Sequence, residues 1–367
     1  MGHPRRGAGS RRRVILTVVL IGIGLGLAIA EIALRVVEAT WQSASPTGVV
    51  DSPKALRSRT SAGKRITPNL DVVVRRHPTS GRDVRVRTNS LGLRGAEIPA
   101  RSDGELRVLV LGDSITFADY VDEDETFPAR LEARLRAAQP GRTVRVLNGG
   151  GSNLGTQGEA ALLAEWASTI RPDVVLVGFY LDDSTSEVGY PEVVRLPEWL
   201  RWSRLARRIV VDVANYRHRA RLGPRYDWVP AFSERRWIAD RAAYEDLVRL
   251  AAHDWGAAWR DDSWGPVEDA FRRMLRLGEQ YGFRVVAAVF PVRVQVESRV
   301  ADDRPQQRFR QLADRLGVPV LDLLPVLTAA NAPSFYDHCH LTPNGNAAVA
   351  GALAEFLASR TAPSSVR

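Results

Sequence analysis

Cysteine is almost absent from this sequence: Cys339 is the only one among 367 residues. No intramolecular disulfide can therefore form, and a zinc site built from several cysteines is excluded. Lysine is nearly as scarce, with only Lys54 and Lys64, so arginine supplies almost all of the positive charge. The chain still has the composition of a globular protein, because 45% of its residues are hydrophobic and 25% are charged, and it is long enough to bury a large core.

Acidic residues are missing from positions 1–30, whereas arginines occupy positions 5, 6, 11, 12 and 13. Without these five arginines the formal net charge falls from +9 to +4, since each carries one charge. The excess positive charge is thus concentrated at the N-terminus and does not indicate a surface that binds nucleic acid. We expect no nucleic-acid partner.

The basic N-terminus precedes an uncharged apolar run of seventeen residues, positions 14–30. This length is at the lower limit for a helix that spans a membrane, and the positive charge before it predicts a cytoplasmic N-terminus with the rest of the chain outside. Two alternatives remain open: the AIA sequence at 28–30 fits a signal-peptidase site, and residues 10–16 loosely fit a twin-arginine signal. Because EIALRVVEATW continues the helical pattern beyond Ala30, we favour an uncleaved anchor within residues 1–41.

Residues 42–81 are predicted to form a linker with short strands. The first part, up to about Thr60, is rich in serine, proline and glycine and shows no periodicity, which is typical of a linker. Farther on, the alternating stretches DVVVRRH and DVRVRTN are typical of short strands, and the turn-rich stretch NSLGLRG follows at residues 89–95.

A regular alternation of apolar runs and amphipathic helical patterns begins near residue 104. Five runs have the length and the near-continuous Val/Leu content of buried strands: residues 106–112, 144–150, 173–181, 284–292 and 318–324. The segments between them have helical periodicity, as in ETFPARLEARLRAA and RPQQRFRQLADRLG. This pattern predicts an α/β domain within residues 82–362, with a doubly wound parallel sheet covered by helices on both faces.

The alternation is interrupted by residues 184–264, which contain seven of the nine tryptophans. Arginines run through the same segment, as in RWSRLARR. One interpretation is a helical insertion whose tryptophans form a small core of their own. The other is a lid over the substrate, in which tryptophan faces contact a sugar or an acyl chain and arginines contact an anionic group. The two are compatible, because insertions at strand ends lie beside the site in such folds.

The first predicted strand ends in LGDSITF, which places Ser114 at its carboxyl end, where open parallel sheets hold their ligands. The hydroxyl would lie near the start of the next helix, whose backbone N–H groups suit an oxyanion. The stretch is not a G-x-S-x-G elbow, because Thr116 occupies the place of the second glycine. A simple helix N-cap is the alternative role for this serine.

The stretch YDHCHLTPNGN, residues 336–346, contains four adjacent candidate groups after the last predicted strand. Asp337 and His340 are three residues apart on a turn, so both can point the same way, and with a serine they would supply a base and its orienting acid. A metal site is the alternative, but His338 and His340 share a face only in an extended chain, and a catalytic zinc needs a third protein ligand. We expect no metal, and a packing role for His338 and Cys339.

Taken in order, these stretches resemble the sequence blocks of the SGNH hydrolases, also called GDSL esterases and lipases. Gly112-Asp113-Ser114 matches the nucleophile block, and Asp337 with His340 matches the final D-x-x-H block. RVLNGGGSNLGTQGE resembles the second block, PDVVLVGFYLDDS resembles the third, and NSLGLRG is similar to a segment ahead of the nucleophile in membrane-anchored bacterial members. The resemblance implies a flavodoxin-like three-layer α/β/α sandwich that hydrolyses or transfers an acyl group through a serine ester.

Two positions depart from the pattern of that family. In the second block a glycine usually donates its backbone N–H to the oxyanion, and Asn153 occupies that place. In the third block Asp182 replaces the usual asparagine, and an ionised aspartate only accepts hydrogen bonds. Loss of one oxyanion donor costs roughly 2.7–4 kcal/mol. A carboxylate about 4 Å from the developing charge adds repulsion of about 4 kcal/mol at an effective dielectric constant near 20.

Three arrangements would preserve activity despite the aspartate. Asp182 is protonated, or it turns away to cap the next helix, or the side-chain amide of Asn153 replaces the missing donor. We advance the third as a hypothesis, because the asparagine absent at one position is present at another that faces the same place.

The sequence thus predicts an exported, membrane-anchored serine esterase with Ser114 as nucleophile, His340 as general base and then acid, and Asp337 as the orienting carboxylate. The N–H groups of Ser114 and Asn153 would form the oxyanion hole, with the role of the Asp182 side chain left open. No cofactor is implied, and the substrate would be an acyl-ester small molecule or an acylated glycan. Two alternatives stay open: an O-acyltransferase or O-deacetylase acting on cell-surface polysaccharide, and a catalytically weak glycan-binding module.

Overall fold

The computed structural model describes residues 8–43, 47–60, 63–152, 154–184, 197–200, 202–222 and 227–361. Its first element is a long helix, α1 (Ala8–Ser43). Within the described chain, the part Arg11–Thr40 is the one helix long and apolar enough to cross a membrane, and very little of it is buried against the rest of the protein. The expected continuation of this helix beyond Ala30 is confirmed.

Two small sheets follow α1. Their strands are β1 (Thr47–Val50), β2 (Arg57–Thr60), β3 (Gly63–Ile66), β4 (Asp71–Val74) and β5 (Val84–Arg87). β4 pairs with β1 in parallel and with β5 in antiparallel orientation, and β2 and β3 form an antiparallel pair. The strands predicted from the two alternating stretches are confirmed as β4 and β5.

The stretch up to about Thr60, which the sequence predicts to be a linker, has regular structure. That stretch contains β1, β2 and a 3-10 turn at Pro53–Leu56. Leu56 is fully buried and packs in a small hydrophobic cluster with Val72, Val86 and Phe117. A single leucine that is buried against distant residues leaves no periodic signal in its own stretch of sequence.

The central sheet has five parallel strands, as the sequence predicts. They are β6 (Leu106–Gly112), β7 (Val144–Gly150), β8 (Val174–Tyr180), β9 (Arg284–Phe290) and β10 (Val320–Asp322). Their spatial order is β10-β9-β8-β6-β7, which is the 2-1-3-4-5 order of flavodoxin-like doubly wound sheets. β6 and β8 are buried along their whole length, which explains their near-continuous apolar sequences. β10 is shorter than the run that predicts it.

Helices cover both faces of this sheet. They are α3 (Phe127–Ala138), α4 (Thr156–Ile170), α8 (Gly265–Tyr281), α10 (Arg304–Leu316) and α12 (Pro343–Thr361). The other helices after α1 are α2 (Ser114–Phe117), α5 (Arg204–Leu222), α6 (Val229–Glu234), α7 (Arg241–Leu250), α9 (Arg293–Glu297) and α11 (Leu324–Thr328). The sheet order reverses after β7, and right-handed crossovers then put the connecting helices on opposite faces. Accordingly, α3 packs against α12, and α4 packs against α8.

The described part of the insertion between β8 and α8 is mainly helical, with α5, α6, α7 and several 3-10 turns. Five of its tryptophans are buried: Trp228, Trp237, Trp255, Trp259 and Trp264. Edge-to-face contacts join Trp228 to Trp255 and Trp255 to Trp259. All five belong to the main hydrophobic core of the protein, and the ring of Trp264 lies 5.7 Å from that of Phe179 in β8, so the expectation that the tryptophans form a small core of their own is wrong. The other two, Trp199 and Trp202, are exposed.

The carboxyl ends of β6, β7 and β8 lie side by side, with Gly112 paired to both Gly150 and Gly178. A Cβ atom at Gly150 would collide with the backbone of Thr116 and Phe117, so this glycine lets α2 lie close to the sheet. The next strand in the chain, β7, lies on one side of β6. The strand after that, β8, lies on the other side of β6. This edge is therefore the topological switch point, where open α/β sheets bind their ligands.

Candidate active site

Ser114 is the first residue of α2, the single helical turn that follows β6. Asp113 is the N-cap of this turn, because its side chain accepts a hydrogen bond from the backbone N–H of Ile115 at 2.8 Å. The alternative of Ser114 as the N-cap is therefore wrong. The serine hydroxyl points instead to a histidine from the other end of the chain.

Ser114, His340 and Asp337 are brought together at the switch point. The Oγ atom of Ser114 lies 3.0 Å from Nε2 of His340, and Nδ1 of His340 lies 2.7 Å from Oδ2 of Asp337. An ionised carboxylate only accepts hydrogen bonds, so Nδ1 carries the proton and Nε2 of the neutral ring accepts from the serine hydroxyl. The three side chains have the connectivity of a nucleophile, its base and an orienting acid.

The turn around Asp337 holds the carboxylate in place. Its Oδ1 atom accepts hydrogen bonds from the backbone N–H of Cys339 at 3.0 Å and of His340 at 2.8 Å. Burial opposes ionisation of Asp337, but the hydrogen bond and the charge of His340 outweigh it and hold the pKa of this carboxyl well below its usual range. Asp337 is therefore ionised at any pH where His340 titrates.

The charge state of His340 is set by burial and by nearby carboxylates acting in opposite directions. Burial lowers its pKa, whereas the hydrogen bond to Asp337 and the negative charges of Asp337, Asp113 and Asp119 raise it, and the net pKa is raised above the ordinary value. The geometry therefore stabilises the imidazolium that forms when the ring takes a proton from Ser114.

Tyr120, which sequence reasoning missed, fixes the position of the histidine ring. It is fully buried, and its ring centroid lies 4.7 Å from that of His340. Its hydroxyl oxygen accepts a hydrogen bond from the backbone N–H of Leu341 at 3.3 Å. No local pattern marks this tyrosine, because its partners lie more than two hundred residues away along the chain.

Arg94, another residue that sequence reasoning missed, supports the loop after the nucleophile. Its buried guanidinium donates hydrogen bonds to the carbonyl oxygens of Phe117 at 2.7 Å, of Val121 at 2.6 Å, and of Ala118. These carbonyls lie at and just beyond the end of α2, where intrahelical partners run out. The stretch NSLGLRG thus contributes to the site through Arg94, a role that its turn-rich sequence does not reveal.

Three buried carboxyl groups, those of Asp113, Glu159 and Asp183, lie close to one another near the nucleophile. Burial raises the pKa of Asp113 to about 7 and raises the pKa values of Glu159 and Asp183 well above their usual range, with mutual repulsion adding to the effect. Neither carboxyl oxygen of Glu159 has a hydrogen-bond partner among the described residues. Such a group is neutral at pH 7, because an unpaired buried carboxylate is very costly.

Asp182 lies in the 3-10 turn Leu181–Ser184 that follows β8, and it is half-buried. After the larger effect of burial, its negative charge helps to raise the pKa of Asp113, so the two carboxyl groups are close. Asp182 is thus near the residue that precedes Ser114. Asn153 lies outside the described residues, and the hypothesis that its amide replaces the missing donor stays a prediction.

The same stretch contains a set of potential metal ligands, since the ligand atoms of Asp337, Cys339 and His340 lie within 4.8 Å of one another. Both ring nitrogens of His340, however, already have protein partners in Asp337 and Ser114. Burial also raises the pKa of the Cys339 thiol well above its usual range, which disfavours the thiolate that a metal requires. The contacts favour proton transfer over metal binding at this place.

His338 and Cys339 have the packing environment that the sequence predicts. The ring of His338 lies edge-on to Trp228 of the insertion, with 4.8 Å between the ring centroids, and Cys339 is buried in the main hydrophobic core. Trp228 in turn donates a hydrogen bond from its indole N–H to Asp254 at 3.0 Å. The insertion therefore packs directly against the segment that carries Asp337 and His340.

No protein-family model matches the sequence, and no curated protein matches it either. Several solved structures match the fold. One is TesA, at 14% identity and a TM-score of 0.40, with 68% of this chain and 97% of TesA covered. Another is Est24, a carbohydrate acetylesterase from Sinorhizobium meliloti, at 12% identity and a TM-score of 0.37, with 70% and 99% covered.

A third match is Axe2, an acetylxylan esterase from Geobacillus stearothermophilus, in a catalytic mutant form. Its identity to this chain is 14% and its TM-score is 0.39, with 71% of this chain and 96% of Axe2 covered. At this level of similarity, the function of this chain has to be argued from its own side chains.

Proposed function

We propose that this chain is a serine hydrolase of the SGNH type that cleaves acyl esters. The observation that carries the proposal is the continuous hydrogen-bond chain from Ser114 through His340 to Asp337, with separations of 3.0 and 2.7 Å. Its position at the switch point of the sheet supports the proposal, since ligands of such folds bind there.

In this proposal, Oγ of Ser114 attacks the carbonyl carbon of the ester while Nε2 of His340 takes the hydroxyl proton. The bond to the alcohol oxygen then breaks, and His340 gives that proton to the departing oxygen, which leaves the acyl group on Ser114. A water molecule attacks the acyl-enzyme with His340 again as base, and the carboxylic acid leaves as Ser114 regains its proton. Asp337 keeps the ring in the required tautomer throughout.

The proposed oxyanion hole uses the backbone N–H groups of Ser114 and Asn153, with the amide of Asn153 in place of the donor that Asp182 lacks. Because α2 is a single turn, its peptide dipoles add up to only a small helix macrodipole. This favours stabilisation of the oxyanion by individual backbone N–H groups. Preorganised donors of this kind are usually the largest contribution to acyl-transfer catalysis.

The proposal also includes membrane anchorage through α1, with the hydrolase domain on the extracytoplasmic side. The apolar span Arg11–Thr40 supports the anchor, and the five arginines that precede its apolar run support a cytoplasmic N-terminus. A domain outside the membrane would meet acylated glycans of the cell surface. We therefore favour a cell-surface glycan as the substrate class. The protein would either remove acyl groups from it or transfer acyl groups to it.

Turnover of an activated acetyl ester tests the proposal on the full chain purified in mild detergent. We expect Ser114→Ala to lower kcat by on the order of 10⁴-fold or more, because it removes the attacking atom. Ser168→Ala, at an exposed position of α4, is the matched control and should leave turnover unchanged. If Ser114→Ala retains wild-type turnover, the hydrolase proposal fails.

The same assay with an oligosaccharide acceptor separates hydrolysis from transfer. Acetate released to water in the presence of the acceptor indicates an esterase or deacetylase. Acetyl groups that appear on the oligosaccharide indicate an O-acyltransferase. Binding of the oligosaccharide without turnover of any ester would favour the glycan-binding alternative.

A further inference from the structure

The insertion contains an exposed apolar stripe on a basic helix. On α5, Ile209, Val213 and Tyr216 are 50, 43 and 75% exposed, and their spacing of four and three residues puts them on one face. The sequence of α5 contains six arginines and one aspartate. A helix with an apolar stripe and many arginines has the composition of helices that lie in the surface of a membrane.

The first turn of α5 is attached to α1 by a set of hydrogen bonds. The carboxylate of Glu31 accepts from the backbone N–H of Arg204 at 3.0 Å, from that of Leu205 at 2.9 Å and from the hydroxyl of Ser203 at 3.0 Å. Glu31 thus acts as a cap for the N-terminus of α5. An ion pair at 2.9 Å between Arg204 and Glu38 joins the same two helices.

The attachment lies where the apolar run of α1 ends. Residues 14–30 would extend about 26 Å as a helix, close to the hydrocarbon thickness of about 30 Å. Glu31 is the next residue, so its contacts with α5 fall at the level of the lipid headgroups if residues 14–30 occupy the hydrocarbon. The first turn of α5 therefore starts at the membrane surface.

Two exposed tryptophans lie just before α5 in the chain, and the backbone of one of them contacts α1. Trp199 and Trp202 are 72 and 66% exposed, in contrast to the buried tryptophans of the insertion. The backbone oxygen of Trp202 accepts a hydrogen bond from Arg35 of α1 at 2.8 Å, which fixes its place next to the end of the apolar run. Tryptophan is enriched at membrane interfaces, because its ring is apolar and its N–H is polar.

We propose that α5, together with Trp199 and Trp202, forms an interfacial surface that lies on the outer leaflet of the membrane spanned by α1 and binds anionic phospholipid headgroups. The inference rests on the membrane anchorage in the proposed function. Ile209, Val213 and Tyr216 enter the boundary between headgroups and acyl chains, and the positive charge of α5, including the exposed Arg217 one turn after Val213, attracts lipid phosphates. The hydrolase domain is then held against the membrane, so its substrate has to be accessible at that surface.

Lipid quenching of site-specific fluorophores tests this surface on the full chain. Single cysteines replace Ile209, Tyr216, Leu20 in the apolar run of α1, and Ala137 on the exposed side of α3. Cys339 stays in place, because it is 3% exposed, and the wild type measures any labelling there. Each labelled protein is reconstituted into vesicles of brominated phosphatidylcholine, with and without phosphatidylglycerol.

The proposal predicts loss of fluorescence for labels at positions 209 and 216, deeper loss when phosphatidylglycerol is present, and none at position 137. The label at position 20 reports the anchor separately. Quenching at 20 without quenching at 209 and 216 would overturn the interfacial surface and leave the anchor standing. Absence of quenching at all four positions would overturn both.

Two further outcomes count against the proposal. Equal quenching with and without phosphatidylglycerol would overturn the assignment of the arginines to anionic headgroups. Unquenched labels at 209 and 216, together with disulfide crosslinking of Ile209→Cys between chains, would show that a second copy of the protein covers this stripe instead of lipid.

Discussion

At the scale of single residues, the proposed mechanism makes the reactivity of Ser114 depend on the protonation of His340. Only the neutral ring can take the serine proton, and the carboxylates of Asp337, Asp113 and Asp119 raise the pKa of the ring against the effect of burial. Activity should therefore rise with pH as His340 loses its proton. We expect the acid limb of kcat/KM to have its midpoint above the ordinary histidine value of about 6.5.

Asp337→Asn checks this assignment. The substitution removes the charge that raises the pKa of His340, so the acid limb should move to lower pH. It should also lower kcat by about 10³- to 10⁴-fold, because an amide no longer holds the productive tautomer. An acid limb that stays at the same pH in Asp337→Asn would contradict the assignment of this limb to His340.

The second residue-scale prediction concerns the aspartate beside the oxyanion site. Asn153→Gly keeps the backbone N–H but removes the side-chain amide, and we expect kcat to fall by about 10²- to 10³-fold, the usual effect of losing one oxyanion donor. Adding Asp182→Asn to that variant should restore most of the loss, because it supplies an amide and removes a carboxylate. If Asn153→Gly has wild-type turnover and Asp182→Asn alone does not raise it, the compensation hypothesis is wrong.

At the scale of elements, α4 places a carboxyl group in the protein core. Glu159 is fully buried, and burial together with the charge of Asp113 raises its pKa well above the usual range. The folded protein keeps this proton, whereas the unfolded chain loses it above about pH 4.3. The free energy of unfolding therefore falls as the pH rises, by up to about 1.4 kcal/mol per pH unit.

Glu159→Gln removes that dependence while keeping the size of the side chain. We expect the variant to unfold at a higher temperature than the wild type, with a difference that grows from pH 5 to pH 8. Glu165→Gln, at an exposed position of the same helix, is the matched control and should show no such trend. A difference for Glu159→Gln that does not change with pH would show that the buried carboxyl is not the cause.

The elements of the central sheet are predictable from local sequence, because strands buried on both faces must be apolar almost throughout. β6 and β7 have the predicted bounds, whereas β10 is shorter than predicted. The strands before residue 61 were missed, because Leu56 and its neighbours are stabilised by contacts with distant residues. Ser114, Asp337 and His340 could be singled out from motif and position, but the supporting roles of Arg94 and Tyr120 exist only in the folded chain.

At the scale of the whole molecule, the two ends of the α/β domain meet at one edge of the sheet. β6 supplies Ser114 early in the domain, and the turn before α12 supplies Asp337 and His340 late in it. The insertion packs on that turn through Trp228, and α5 is joined to α1 through Glu31. The insertion therefore contacts both the proposed membrane anchor and the turn that carries the proposed catalytic residues.

Reaction with a serine-directed fluorophosphonate shows whether this fold makes Ser114 a nucleophile. We predict one covalent adduct per chain, which peptide mass mapping assigns to Ser114. The adduct should be absent from Ser114→Ala, strongly slowed in His340→Ala, and retained in Ser168→Ala. A wild-type chain that forms no adduct on Ser114 would contradict the account.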